Sequence, residues 1–281
     1  MESNQDMKIG LALGGGGARG LAHIPMLEVF DEMGLKPAVI AGCSMGALIG
    51  AAYASGMTAK EIREQAEKIL GNRMDAARYV FGTRKSRLRD ILSLKGLTTL
   101  HLHGEKLVDL ALPDHLPKNI EDTKIPFHVV TTDFELMEER LISSGNMVQA
   151  VAASIAIPGV IVAPQIEGHI HVDGGVTNPV PFDHVREGMD IVVAIDVTGK
   201  PKLSGRKHAT NMELAVGAML IMFNQLADLR RAAAPPDIYI SPKVDQFGSG
   251  DFFKLRDIFE SASASKDQLK RALELRMKGV A

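Results

Sequence analysis

Ala38 to Gly50, AVIAGCSMGALIG, reads as a short apolar strand, a glycine-flanked serine and the opening of an apolar helix. Within it, Gly42-Cys43-Ser44-Met45-Gly46 spells G-x-S-x-G. This is the pattern of a nucleophile elbow, a tight strand-to-helix turn that forces a serine Oγ outward at the strand's end. The turn crowds the serine, so the positions two before and two after must be nearly free of side chain. Glycine meets that demand at both. Ser44 also stands at a helix N-terminus, whose free N–H groups and dipole favour negative charge. The pattern alone is weak, since at average glycine and serine usage of about 7% each it arises by accident in roughly one such chain in ten. The flanking strand and helix cut that figure, and a second glycine-rich stretch decides the matter.

At 281 residues the chain can bury a full-sized core, as one large domain or two small ones. Its 46% hydrophobic and 23% charged residues are those of an ordinary globular protein. A net charge of −2 gives no basic field for nucleic acid. The opening MESNQDMK has no apolar h-region, so no signal peptide is expected. There is no run of about 18 apolar residues, which argues against a membrane span. One cysteine, Cys43, excludes an internal disulfide and a cysteine-cluster metal site. Together these features suggest the cytoplasm.

Outward from the elbow, Ile9 to Leu13 (IGLAL) is an apolar strand followed by Gly14-Gly15-Gly16-Gly17-Ala18-Arg19-Gly20 and a helix over Leu21–Met33, closed by Gly34. Strand, glycine loop and helix predict a β-α-β unit, with Ala38–Ala41 as its second strand. The elbow helix runs to about Ser55. Thr58 and Glu61 form a capping box for a helix that ends at Leu70. The stretch from Arg73 to Lys95 is irregular and basic, and Glu105–Leu112 is a short helix. Further strands are expected at Ile125–Thr132, Arg140–Ser143, Val160–Val162 and His169–Val172, with a buried helix over Asn146–Ala156. Ile191 to Val197 (IVVAIDV) is a near-continuous apolar run, the mark of a strand buried on both faces. A polar basic loop (Lys200–His208), a long helix (Asn211–Arg231), a strand (Ile238–Ile240) and a C-terminal helical region (Lys254–Lys278) complete the chain. With no internal repeat or linker, the economical reading is one α/β domain over residues 8–281. It would be a three-layer α/β/α with a central, mostly parallel sheet.

Gly15 to Gly20 also matches G-x-G-x-x-G. A dinucleotide site would need an acid at the end of the second strand, about 20 residues on. That strand ends in Ala41-Gly42-Cys43-Ser44, and Asp31 and Glu32 precede it. No Lys-Ser/Thr follows the glycines, so a P-loop fails as well. The remaining reading is an oxyanion hole. Adjacent parallel strands end at the same sheet edge, which puts the glycine loop beside Ser44 with its N–H groups exposed. Gly15, Gly16 and Gly17 are the candidate donors. Arg19 either adds positive potential or is a solvated cation at the helix start.

A serine nucleophile needs a base. In an α/β-hydrolase the acid and then a histidine follow the serine, and after Asp173 only His184 and His208 remain, neither within a motif. Asp173-Gly174-Gly175 follows a strand and gives an acid a tight position, though Asp-Gly turns after strands are common.

Four blocks together make the chain resemble the patatin-like phospholipases of bacterial type. They are Gly14–Gly20, Gly42-Cys43-Ser44-Met45-Gly46, Ala153-Ser154-Ile155-Ala156-Ile157-Pro158-Gly159, and Asp173-Gly174-Gly175 with Asn178-Pro179-Val180-Pro181. They appear in the family's order within residues 9–185, whereas residues 203–281 resemble it only loosely. The resemblance implies a Ser-Asp dyad, with Ser44 as nucleophile, Asp173 as base and the Gly15–Gly17 amides as oxyanion hole. Arg19, Gly42, Gly46, Gly174 and Gly175 would support that site. It further implies hydrolysis of lipid acyl esters with neither metal nor cofactor. Gly14 departs from the plant patatins, which carry an acid there.

The basic stretch Arg73–Lys95 reads first as a solvated face and second as a contact for anionic headgroups at a membrane surface. Met212–Leu226, with Met219, Met222 and Phe223, reads first as plain core and second as a lipid groove or lid. His23, His101, His103 and His115 have no ligand-like partners. The reading is a cytoplasmic serine acylhydrolase acting on a lipid ester, in peripheral contact with the inner membrane face. Its rival is a non-enzymatic regulator that keeps the fold to bind a partner.

Overall fold

The computed structural model describes residues 7–71, 102–201 and 210–279. The basic stretch 73–95, His101, His208 and the side chain of Met212 lie outside them.

Strand β1 (Ile9–Leu13) is buried throughout and runs into the glycine turn. The expected helix over Leu21–Met33 divides in two: a 3₁₀ helix (Gly17–Ala22) is followed by α1 (His23–Glu32). Gly34, at φ +65°, ends α1 in a Schellman motif, with Leu35 N–H on Phe30 O at 2.9 Å and Gly34 N–H on Asp31 O at 3.1 Å. Next come β2 (Val39–Cys43), α2 (Met45–Ala54) and α3 (Ala59–Leu70). The Thr58–Glu61 capping box is present at the start of α3.

Beyond residue 101 the order is β3 (Leu102–His103), α4 (Gly104–Ala111), β4 (Phe127–Asp133), β5 (Glu138–Ile142) and α5 (Met147–Ser154). Then follow β6 (Ile161–Val162), β7 (Gln165–Ile166), β8 (His169–Asp173) and β9 (Ile191–Ile195). The chain closes with α6 (Asn211–Ala233), β10 (Ile238–Ile240) and α7 (Leu255–Met277). The sequence reading has no counterpart of β3 or β7, since two residues carry no periodicity.

The main sheet has the order β10-β9-β1-β2-β4-β8-β7, with β5 also on β4. The strands from β10 to β4 are parallel, whereas β5, β7 and β8 pair antiparallel. Alternation separates the two faces. Leu11, Leu13, Ile40, Val129 and Val193 join a large core with α1, α2, α3, α5 and α7. Ala12, Ala41, Val192 and Ala194 point the other way, against Val180, Phe182, Val185 and Ala227 of α6. The second face thus carries small side chains under a thin cover. A one-residue slip would exchange the two sets, costing about 2 kcal/mol for each large residue moved out of the core.

One feature of the sheet positions the site. Val129 and Val130 of β4 pair with Gly42 and Cys43 of β2 on one edge, and with Ile142 and Leu141 of β5 on the other. From Thr131 on, β5 keeps its edge while Asp173 of β8 takes the edge that β2 has left. The C-terminal ends of β2 and β8 therefore meet head-on along one edge of β4.

Candidate active site

Ser44 follows β2 directly and adopts φ +52°, ψ −121°. For a non-glycine residue that conformation costs on the order of 1–3 kcal/mol and persists only where the surroundings over-determine it. The two flanking glycines answer to contacts. A Cβ on Gly42 would lie 2.6 Å from Ala47 Cα, and one on Gly46 would run into the Leu13 carbonyl. The Cys43 thiol between them is fully buried, and burial pushes its pKa well up, so it stays a neutral thiol. Ser44 N–H donates to Ser154 Oγ at 2.8 Å, and Ser154 in turn donates to Val130 O at 2.6 Å. Sequence reasoning quotes Ser154 only within a family block. The signal it missed is a hydroxyl at the end of a small, apolar, buried helix, which must find partners.

The meeting of β2 and β8 brings Ser44 Oγ to 2.7 Å from Asp173 Oδ2, and Asp173 Oδ1 accepts the Gly175 N–H at 2.8 Å. Both side chains are buried. Burial raises the Asp173 pKa to about 6, with the two hydrogen bonds pulling against it. Gly174 and Gly175 are also required by close approach. A Cβ on the first would strike the Val130 carbonyl, and one on the second would sit 2.6 Å from the Phe223 ring.

No described imidazole stands between serine and acid. His184 Nε2 is hydrogen-bonded to Glu139 Oε1, which raises the His184 pKa. Arg230 joins them with 2.9 Å contacts to both Glu139 and Asp183. His23 is buried, with Nε2 on Gly14 O at 2.8 Å, and burial lowers its pKa to about 4. As a neutral ring it holds the start of the glycine turn.

The glycine turn packs on the elbow: a Cβ on Gly15 would be 3.2 Å from Ser44 Cβ. Its amides divide, however. Gly14 N–H donates to Ile195 O at 3.0 Å and Gly15 N–H to Pro179 O at 2.9 Å, so Gly15 is no free donor as it stands. The Gly16 and Gly17 amides have no acceptor among the described residues. Neither does the Met45 amide in the first turn of α2, a donor position the sequence reading did not include. Arg19 is not the solvated cation of one sequence reading. It is fully buried, donating to the carbonyls of Val197, Thr198, Lys200 and Phe247. It ties the loop after β9 to the segment before α7.

Among the described residues, two acid–histidine groups have ligand-like spacing, Asp133–Glu135–His169 and Glu139–Asp183–His184. Arg230 sits on both carboxylates of the second. In the first, Asp133 Oδ2 lies 3.1 Å from His169 Nδ1 and 3.8 Å from Arg140 Nε. Protein cations thus already face both clusters.

Helix α6 is two-faced. Leu220 and Phe223 are buried, as the core reading of Met212–Leu226 expects, and so is Ala227, while Leu214, Ile221, Met222 and Leu229 are exposed on the opposite side, Met222 against that reading. Val176, beside Gly175, is exposed too. No helix among the described residues is long and apolar enough to cross a membrane.

A protein-family model described as patatin-like phospholipase matches residues 11–186. An uncharacterized NTE family protein of Mycobacterium tuberculosis is 32% identical over 209 residues, covering 73% of this chain and 53% of that protein. Patatin-like phospholipase domain-containing protein 6 of Mus musculus is 32% identical over 192 residues, covering 67% of this chain and 13% of its own length. The lysophospholipase nte1 of Aspergillus fumigatus is 26% identical over 289 residues, covering 95% of this chain and 18% of its own. The chain spans about half the length of the mycobacterial relatives it matches. Among solved structures, VipD from Legionella pneumophila aligns with a TM-score of 0.49 at 14% identity, over 95% of this chain and 67% of that one.

Proposed function

This chain belongs to the patatin-like phospholipase family, and from that premise we propose that it is a serine hydrolase of lipid acyl esters. The reaction is of phospholipase A or lysophospholipase type, with Ser44 as nucleophile and Asp173 as its base. The observation that carries the reading is the direct 2.7 Å hydrogen bond from Ser44 Oγ to Asp173 Oδ2. As Oγ bonds to the ester carbonyl carbon, Asp173 takes the hydroxyl proton. The oxyanion is held by the free amides of Gly16 and Gly17, each such donor contributing about 3 kcal/mol to lowering the barrier. Collapse breaks the ester C–O bond, and the departing alkoxide receives the proton from Asp173. Water then attacks the acyl-Ser44 ester with Asp173 again as base, and the acid product leaves with Ser44 restored.

A lysophospholipase among the relatives supports a lipid ester as substrate. The exposed apolar stripe of α6, whose buried side sets Phe223 against Gly175, supports peripheral contact with a lipid surface. We extend the proposal to a cytoplasmic protein working at the inner membrane face. Residues 8–281 are taken as a single domain, supported by the pairing of β10 with β9 and the packing of α7 on α1. Hydrolysis of lysophosphatidylcholine and of a p-nitrophenyl ester by the wild type and by Ser44→Ala tests the proposal. Ser44→Ala should fall to background, and retained turnover would overturn the reading.

A further inference from the structure

Because β8 takes over the edge of β4 at Thr131, the N–H of Ser44, one residue past β2, meets no strand carbonyl. Ser154, the last residue of α5 and fully buried, accepts it at 2.8 Å and donates its own O–H to Val130 O at 2.6 Å. A hydroxyl can accept and donate at once, which no aliphatic side chain of that size can do. A buried serine near a helix end more often turns back on its own helix, as Ser55 does onto Ala51 O at 2.7 Å. Ser154 reaches across to another element instead. Two residues further on, Ala156 O accepts the Asp173 N–H at 3.0 Å. The main-chain N–H groups of Ser44 and Asp173 are therefore both held from one short span. That span is itself fixed, by Ile155 N–H on Val151 O at 3.0 Å and Ala156 N–H on Ala153 O at 3.1 Å.

We propose that the C-terminal end of α5 sets the separation and orientation of Ser44 and Asp173, with Ser154 as a positioning residue for acyl transfer. The inference rests on the reading of those two residues as nucleophile and base. Ser44 holds a backbone conformation that survives only under outside constraint. With the Ser154 acceptor gone, its buried N–H is orphaned and the elbow relaxes. Oγ then leaves its line to Asp173 Oδ2. A displacement of about 1 Å typically costs about 10²-fold in rate.

The experiment compares wild type, Ser154→Ala and Ser154→Thr on a soluble p-nitrophenyl ester, with active sites counted by fluorophosphonate and Ser44→Ala as background. Ser154→Ala should lose about 10²-fold in kcat per titrated site with KM within about twofold, and Ser154→Thr, which keeps the hydroxyl, should recover most of the loss. If Ser154→Ala does not fold, Ser154→Cys takes its place, and the order should remain Ser, then Thr, then Cys, because a thiol is a weak acceptor. Wild-type kcat per titrated site in the Ala or Cys variant, with Ser44→Ala inactive, would overturn the positioning role and leave the nucleophile standing. An active Ser44→Ala would instead remove the reading on which the inference rests.

Discussion

Asp173 accepts the Ser44 hydroxyl directly, across 129 residues of sequence and 2.7 Å of space, and both side chains are buried. Burial is the largest influence on that carboxyl and lifts its pKa to about 6. A carboxylate with a raised proton affinity is a better base than an ordinary one. It must also be ionised to act.

The rate should follow that ionisation. The acid limb of kcat/KM on a soluble ester should titrate near pH 6, with activity falling as pH drops below it. A limb near pH 4, as for an exposed aspartate, would mean that the base is another group or that the carboxyl is solvated.

Stability should respond with the opposite sense to that of a salt-bridged acid. The folded-state pKa is raised above 3.8, so the native chain binds the extra proton and this group's contribution weakens as pH rises from about 4 to about 6. At neutral pH the raised proton affinity corresponds to a penalty on the order of 3 kcal/mol. Asp173→Asn keeps the shape and removes the charge. It should melt higher than wild type at pH 7.5, lose that advantage near pH 4, and be inactive throughout. Calorimetry at the two pH values checks this.

Histidine should be dispensable for the chemistry. His184 is engaged with Glu139 and Asp183. His184→Ala should keep activity within about tenfold, whereas loss of a triad histidine typically costs ~10⁴-fold. Loss on the triad scale in folded His184→Ala would restore a triad.

Arg19 should matter for folding more than for turnover. Its guanidinium spans carbonyls on separate segments, a fork that the Lys ammonium cannot reproduce. Arg19→Lys should lower the unfolding free energy in urea by about 2 kcal/mol or more. A selective fall in kcat at unchanged stability would return Arg19 to the electrostatics of the site.

The exposed side of α6 should govern contact with lipid but not the chemistry. Replacing Ile221, Met222 and Leu229 by Ser should weaken co-sedimentation with phosphatidylcholine vesicles and leave soluble-ester kcat within about twofold. Unchanged sedimentation would remove α6 from the lipid-facing surface.

What the sequence shows of this molecule is what local physics controls. The buried run of β1, the capping box at Thr58, the Gly34 stop and the glycine spacing of the elbow each follow from conformational demands within a few residues. The meeting of Ser44 with Asp173 depends on β8 returning antiparallel along an edge of β4 that β2 has vacated, and no short pattern encodes that. The use of Gly15's amide by Pro179, the burial of Arg19 and the reach of Ser154 to Ser44 are likewise products of tertiary packing. In sequence Arg19 reads either as a source of positive potential or as a solvated cation, and Ser154 stands out only as part of the Ala153–Gly159 block.

The most direct test of the central claim is peptide mapping by mass spectrometry after treating the folded protein with a fluorophosphonate. A single covalent adduct is expected, on Ser44, formed in step with loss of ester hydrolysis and strongly slowed in Asp173→Asn. An adduct on another residue, or none on a folded protein that still hydrolyses esters, would contradict it.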